Sequence, residues 1–374
     1  MAETTDVAII GGGAAGCAVA FYLAQAGVKS TIIERDGLGN QASGNAAGGL
    51  NPLTGIGIPG PLGSFAWECY QLHAEMYEGL KEQSGIDYQH RTVTKIDLAL
   101  EESEIVGLKA SADRINGVEG FQAHWIEPDE IAKLEPRIAP GVLGGLYDHG
   151  NTAVASHEFT HALAAVAGKM GSTVRAGNVR SLESTGGRVD RVVLADGEVS
   201  CGQVVMAMGP WSRRAESWLG VYIPVDPLKG EILRLELEGA PIKYDITGAG
   251  AAIYPKLDGL NWCGTTEDWK GFDLEPSEEV AQEIRRRLAR VFPELANAKV
   301  AKHTACLRPV TPDWLPVLGR APGWENVYLA TGAGKKGILL APGIGKSVAD
   351  LMTSGQTALS IQGYFPERFA TQLD

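Results

Sequence analysis

At 374 residues, 44% of them apolar, with a formal net charge of −12, the chain is long for one core and suits two domains. The negative charge excludes a general nucleic-acid binder, since affinity for phosphate backbones needs clustered Lys and Arg; the 48 glycines fit many close backbone approaches better than a coiled coil or a disordered chain. Five scattered cysteines without C-x-x-C spacing, an acidic N-terminus (MAETTD) and no apolar run of 18 or more residues free of turn glycines predict a cytoplasmic protein with reduced thiols and no transmembrane segment.

Residues 6–16 read DVAIIGGGAAG. Val7, Ala8, Ile9 and Ile10 form a short apolar run without polar alternation, which predicts the first strand of a parallel sheet buried on both faces. Gly11, Gly13 and Gly16 then fit G-x-G-x-x-G, and an Ala- and Leu-rich helix follows over 14–25. Strand, tight turn and helix thus come in the order that lets a backbone approach a diphosphate. A second strand over 30–33 ends in Glu34, 18 residues past Gly16, where a carboxylate accepts the ribose hydroxyls of an adenosine. The stretch is a dinucleotide site, and FAD and NAD both fit it.

The next stretch, GLGNQASGNAAGGLNPLTGIGIPGPLG, is too rich in Gly, Asn and Pro for a regular element and too long for an idle connection. Its small side chains let a flat ring lie against backbone. Ser64 caps a helix to about residue 83, with Phe65, Leu72, Met76 and Leu80 on its core face. Over 86–148 the texture turns to short strands, charged turns and one helix near 128–134, so a second domain begins. Ser156 opens a further helix to about residue 169, followed by STVRAGNV and the hairpin RVDRVVLADGEVSC, which turns at Asp196 and Gly197. VVMAM then runs into Gly209, Pro210 and Trp211. Alternating strands and turns over 219–265 and a basic-faced helix over 276–292 return to the second domain. The chain ends with LRPVTPDWLPVLG, the strand VYLAT, the glycine loop GAGKKG and a helix over 338–352.

Taken in order, the GGGAAG loop with Glu34, ASGNAAGG, VVMAMGPWS, YPKLDGLNWCGTTE, RPVTPDWLPVLG and GAGKKGILLAP resemble the D-amino-acid oxidase superfamily of FAD-dependent amine oxidoreductases, especially its glycine oxidase and sarcosine oxidase branch. The resemblance spans nearly the whole chain. It implies an α/β fold: a Rossmann-like FAD-binding domain assembled from discontinuous segments (1–85, 150–215 and 301–374), plus an α+β substrate domain (86–149 and 216–300) whose antiparallel sheet roofs the flavin.

Carried over by position, Gly11, Gly13, Ala14, Ala15 and Gly16 would hold the diphosphate at a helix N-terminus, and Glu34 with Arg35 the ribose end. Ala42, Ser43, Ala46, Ala47, Gly48 and Leu50 would lie along the diphosphate, ribityl chain and flavin. Val179 would pair its backbone with adenine, and Gly209 with Trp211 would border the flavin. Gly334, Lys335, Lys336, Gly337 and Ile338 would aim amides and positive charge at the flavin's pyrimidine end. Arg308, in the LRP block, would hold the substrate carboxylate with a guanidinium fork and turn its Cα–H toward flavin N5 for hydride transfer; Lys335 and Tyr254 complete the catalytic set.

Departures from the branch carry their own implications. Ala252 stands where glycine oxidases place a tyrosine, which leaves room for a substrate larger than glycine. Trp262 stands where sarcosine oxidases place an oxygen-activating lysine, so the electron acceptor is oxygen or another redox carrier, as in a dye- or quinone-linked dehydrogenase. Cys306 lies seven residues before Asp313, the spacing of the cysteine that bonds the flavin in sarcosine oxidases, but the following Arg-Pro pair belongs to the glycine oxidase pattern, and we expect non-covalent FAD. The ASGN loop and NPLTG also resemble the oxidase that trims a carboxymethylaminomethyl group on tRNA wobble uridine, an alternative that the charge of −12 disfavours. His157, Glu158 and His161 spell H-E-x-x-H, the zinc peptidase pattern, but no third ligand follows, and we expect a solvent-facing helix start and no metal. The expected partner is a small amino acid or amine, and a homo-oligomer is left open.

Overall fold

The structure, a computed structural model, describes residues 3–372. The chain forms two compact units: one runs to His90 and resumes over Val154–Leu228 and from Leu307, and the other comprises Arg91–Ala153 and Lys229–Cys306. The sequence-based boundaries lie within a few residues of these, except that residues 216–228 belong to the first unit.

The first unit is built on the apolar run 7–10. It ends the strand Glu3–Ile10, which pairs in parallel with Ser30–Glu34 on one side and Gly197–Met206 on the other. In order, the sheet runs Val317–Arg320, Val327–Thr331, Gly197–Met206, Glu3–Ile10, Ser30–Glu34 and Thr173–Ala176. Val7 and Ile9 enter one hydrophobic core and Ala8 and Ile10 another, which is why the run shows no polar alternation. The first core is shared with the helices Ala14–Gln25, Gly63–Ser84, Ser156–Lys169 and Gly337–Thr353. The second lies under the hairpin formed by Val179–Thr185 and Arg188–Leu194 and under residues 215–225.

Glycines set the helix spacing in the first core. A Cβ added at Gly345 would lie 2.5 Å from the Ala18 backbone, and one at Gly343 would lie 2.3 Å from Cys69 Sγ. The helix Gly337–Thr353 therefore touches the helix Ala14–Gln25 through one glycine and the helix Gly63–Ser84 through another.

The second unit carries a mixed, mostly antiparallel sheet. Its strands run in the order Lys299–Val310, Asp226–Glu236, Leu260–Gly264, Ala251–Pro255, Asp245–Gly248, Arg91–Ala99 and Gly144–Ala153. Ile96, Leu233, Leu235, Ile246, Ile253 and Cys263 point into one core, filled from outside by Ile284, Leu288 and Val291 of the helix Glu278–Val291. The alternate residues form the polar face described below.

Two expectations fail here. Residues 102–116, read as strand and turn, form the helix Glu102–Asn116, started by a capping box in which Glu101 and Glu104 exchange hydrogen bonds with each other's backbone. Only Ile115 of this helix is buried, so no apolar stripe advertised it. Ser64 does not cap its helix, which begins at Gly63 with no side-chain cap.

Two glycine substitutions test the packing account in opposite directions. Gly345→Ala should destabilise the protein by about 1–3 kcal/mol through overpacking. Gly107→Ala, on the exposed helix Glu102–Asn116 with nothing within 4 Å of the added Cβ, should stabilise by up to ~1 kcal/mol. Urea denaturation midpoints measure both; equal effects at the two sites would contradict it.

Candidate active site

The turn between the first strand and first helix is a place where side chains do not fit. At Gly11 (φ +112°) a Cβ would fall 2.2 Å from the carbonyl oxygen of Ala207, and at Gly16 one would fall 2.0 Å from the carbonyl oxygen of Gly11. The first glycine lets the strands Glu3–Ile10 and Gly197–Met206 close at their carboxyl ends, and the last lets the helix Ala14–Gln25 sit on the turn. These are the roles a diphosphate-binding turn requires. Gly13 is the N-cap and offers no side chain to the first-turn amides. The Ala14 amide donates to Ser43 Oγ at 2.9 Å, so the loop residue Ser43 stands at the helix start with Ala15 beside it.

Glu34 is fixed from below. Its carboxylate accepts from the amides of Gly12 at 2.7 Å and Asp36 at 2.8 Å, one on each oxygen, which leaves further lone pairs for a ribose. The Gly177 amide donates to the Glu34 carbonyl at 2.8 Å and brings in the strand that begins at Val179. Among the described residues that strand pairs with a neighbour along one edge only. The Arg35 guanidinium lies 4.1 Å from the ring centroid of Trp211. Trp211, expected at the flavin border, thus stands beside the Glu34 end of the site. Gly209 is held separately, its carbonyl accepting from Ser212 Oγ at 2.7 Å and Thr331 Oγ1 at 3.2 Å.

The long loop is ordered by backbone contacts. Ala42 and Ser43 begin the short helix Ala42–Asn45, and Ala46 accepts from Ser156 Oγ at 2.7 Å. Ala47 is half-buried, while Gly48 lies so close to Val154 that a Cβ would fall 2.0 Å from that residue's carbonyl oxygen. The Leu50 side chain is wholly in the core, so only its backbone can serve a ligand. The solvent-facing reading of the H-E-x-x-H segment holds for Glu158, which is exposed, but not for the histidines: His157 and His161 are half-buried against this loop, His161 Nε2 lies 3.2 Å from the Leu38 carbonyl oxygen, and a Cβ on Gly44 would fall 2.9 Å from the His157 ring. Among the described residues no group of three or more metal-ligating side chains is present.

At the far end of the loop, Lys336 donates from Nζ to the carbonyls of Asn51 at 3.0 Å and Thr54 at 2.8 Å, joining the loop to the segment Gly334–Lys336 that starts the helix Gly337–Thr353. Lys335 lies 5.1 Å from the ring of Trp314. Trp314, which nothing in the sequence singled out, has φ +62°, a left-handed conformation that an aromatic residue holds only when its surroundings compel it. Thr311 Oγ1, 2.7 Å from the Leu315 carbonyl, and the pair Asp313–Arg368 at 2.8 Å do so. Arg308 is half-buried on the strand Lys299–Val310, two residues past the buried Cys306. Ile338 is buried at the start of the last long helix.

The polar face of the second unit's sheet is a charge cluster that no local pattern foretold, because its members come from strands far apart in sequence. Asp245 is registered with Lys95, and Tyr254 and Arg234 with Trp262. Lys95 pairs with Asp97 at 2.6 Å, and Asp148 accepts from the Asn151 amide at 2.6 Å. The Arg234 guanidinium lies 3.9 Å and Lys256 Nζ 5.2 Å from the Trp262 ring. Burial pushes the Asp245 carboxyl up to about 6 against the pull of Lys256, Arg91 and Lys95. It pushes the Lys256 ammonium down to about 8, opposed by Asp245. Such opposed shifts are typical of functional surfaces.

Comparison with known proteins agrees with this geometry. The family profile of FAD dependent oxidoreductases matches residues 6–351. Glycine oxidase of Bacillus licheniformis is 30% identical over 94% of this chain and 94% of its own, and glycine oxidase of Geobacillus kaustophilus is 30% identical over 96% of each. The crystal structure of glycine oxidase from Geobacillus kaustophilus superposes with a TM-score of 0.90 at 28% identity, covering 97% of this chain and 98% of that one. The glycine turn, the amide-held Glu34 and the start of the first helix fit the adenosine diphosphate half of the cofactor that this family uses, and the chain belongs to the FAD-dependent oxidoreductase family, an enzyme whose cofactor is FAD.

Proposed function

We propose that the protein oxidises an amino acid or an N-substituted glycine at the carbon bearing the amine, in the manner of a glycine oxidase. The observation that carries this reading is the side-chain-free turn at Gly11–Gly16 above an amide-held Glu34, joined to amine-oxidising relatives that match along 94–96% of the chain. FAD, when bound, supplies a two-electron acceptor for the hydride leaving the substrate. The imine so formed hydrolyses in water to a 2-oxo acid and ammonia or an amine.

In this reading Gly11, Gly13, Ala14, Ala15, Gly16 and Ser43 take the diphosphate, and Glu34 takes the ribose. Trp211 joins Arg35 and Val179 at the adenosine end, because it stacks on the residue next to Glu34. Gly334 to Ile338 take the pyrimidine end, where two lysines and a helix N-terminus favour negative charge. Arg308 holds the substrate carboxylate. Tyr254 is kept as a substrate-facing residue because the opposite face of its sheet is filled by core. Ala252 and Gly264, registered partners next to the Tyr254–Trp262 pair, carry no bulky side chain, in favour of substrates larger than glycine. Cytoplasmic placement rests on five free cysteines.

A panel of amino acids and N-alkyl glycines should give a 2-oxo acid, with the highest kcat/KM for a member larger than glycine; glycine as best substrate would contradict the size argument. Hydrogen peroxide formation, against turnover only with an added dye, identifies the acceptor. Arg308→Lys keeps charge but not the fork, and should raise KM and slow flavin reduction by about tenfold or more together, as expected for a charged hydrogen bond worth roughly 1.5–3 kcal/mol. Unchanged kinetics would make Arg308 structural.

Cys306 gives a separate test of how FAD is held. Acid precipitation of the holoprotein should release all FAD to the supernatant and leave a colourless pellet. A yellow pellet that turns colourless in Cys306→Ala would show a thioether instead.

A further inference from the structure

Pro342 lies inside the helix Gly337–Thr353. Proline has no N–H, so the carbonyl four residues earlier loses its helical donor. That carbonyl belongs to Ile338, in the first turn of the helix and 5% exposed. A buried acceptor without a partner costs about 1–3 kcal/mol, and here the donor comes from another helix. His73, on Gly63–Ser84, places Nε2 2.9 Å from the Ile338 oxygen.

His73 is fully buried and packs against Phe159 with ring centroids 4.9 Å apart. Burial pushes its pKa down to about 4, so the imidazole is neutral and carries a single N–H. Because a carbonyl only accepts, that proton is on Nε2; Nδ1 is left buried with no hydrogen-bond partner. The only N–H of a buried histidine is thus spent on the one first-turn carbonyl that Pro342 leaves open. One turn earlier on the same helix, Cys69 Sγ lies 3.7 Å from the Leu340 oxygen, so two side chains of one helix grip the start of the other.

We propose that His73 is a positioning residue for the flavin: by holding the Ile338 carbonyl it sets the direction of the Gly334–Ile338 backbone, and with it the positive end of the helix presented to the flavin's pyrimidine ring. The proposal rests on the placement of that ring given under the proposed function. Positive potential there favours the anionic reduced ring over the neutral oxidised one, so slackening the helix start weakens reduced FAD relative to oxidised FAD.

The test is the midpoint potential of FAD bound to the holoprotein. His73→Leu should lower the affinity for reduced FAD relative to oxidised FAD by about tenfold, which for a two-electron couple is a shift of about 30 mV to more negative potential. His73→Gln, whose amide can donate to the same carbonyl, should keep the wild-type value. The double variant His73→Leu/Pro342→Ala should recover it as well, because residue 342 then supplies the missing N–H itself, a rescue that loss of side-chain packing alone would not permit. If His73→Leu holds no FAD, the double variant alone decides: a wild-type potential supports the proposal and a lowered one overturns it. Lys336→Met serves as the reference for flavin placement. A potential moved by Lys336→Met but not by His73→Leu overturns the role of His73; a potential moved by neither overturns the flavin placement, and this proposal with it.

Discussion

The structure depends first on a steric constraint at the carboxyl end of the central strands. The Gly11 backbone passes so close to the Ala207 carbonyl, and Gly16 so close to Gly11, that no side chain fits at either position. Only that closeness lets the helix Ala14–Gln25 start directly above the sheet, with Gly12 donating to Glu34 beneath. In the proposed reading, a diphosphate at this turn would be met by amides and a helix end without a basic side chain. This is how a chain of net charge −12 can hold an anionic cofactor.

A second constraint lies at the other end of the site. The helix Gly337–Thr353 contains Pro342, Gly343 and Gly345, a sequence poor for an isolated helix. Its packing explains each of them: Gly343 admits Cys69, Gly345 admits Ala18, and His73 satisfies the carbonyl that Pro342 strands. Helical stability here comes from tertiary contact rather than from propensity. The long loop is tied to the same helix start, the carbonyls of its Asn51 and Thr54 accepting from Lys336 Nζ.

What was legible in the sequence was what local order encodes. Val7 to Ile10, the spaced glycines and Glu34 announced a dinucleotide turn, because strand, turn and helix are consecutive. Contacts between distant segments were not legible. The resemblance put Trp211 with Gly209 at the flavin border; its stacking on Arg35, 176 residues away in sequence, could be read only from the fold. His157 and His161 read as solvent-facing because helical periodicity does not say which loop lies on top. The helix Glu102–Asn116 escaped notice because it buries little and is capped by glutamates rather than Ser, Thr or Asp. The pairing of His73 with Ile338 spans 265 residues, and only the fold supplies it. The charged sheet face, with Lys95, Asp245 and Arg234 drawn from three strands and Lys256 from the turn after a fourth, is of the same kind.

In the proposed reading, FAD held at the Gly11–Gly16 turn takes two electrons from an amine substrate. Anaerobic mixing of the purified holoprotein with amino acids and N-alkyl glycines tests it without reference to the final electron acceptor. The account predicts that at least one of them bleaches the visible flavin absorption, with release of a 2-oxo acid in proportion to the FAD reduced. A holoprotein whose flavin stays oxidised with every member, while dithionite still reduces it, would contradict the account.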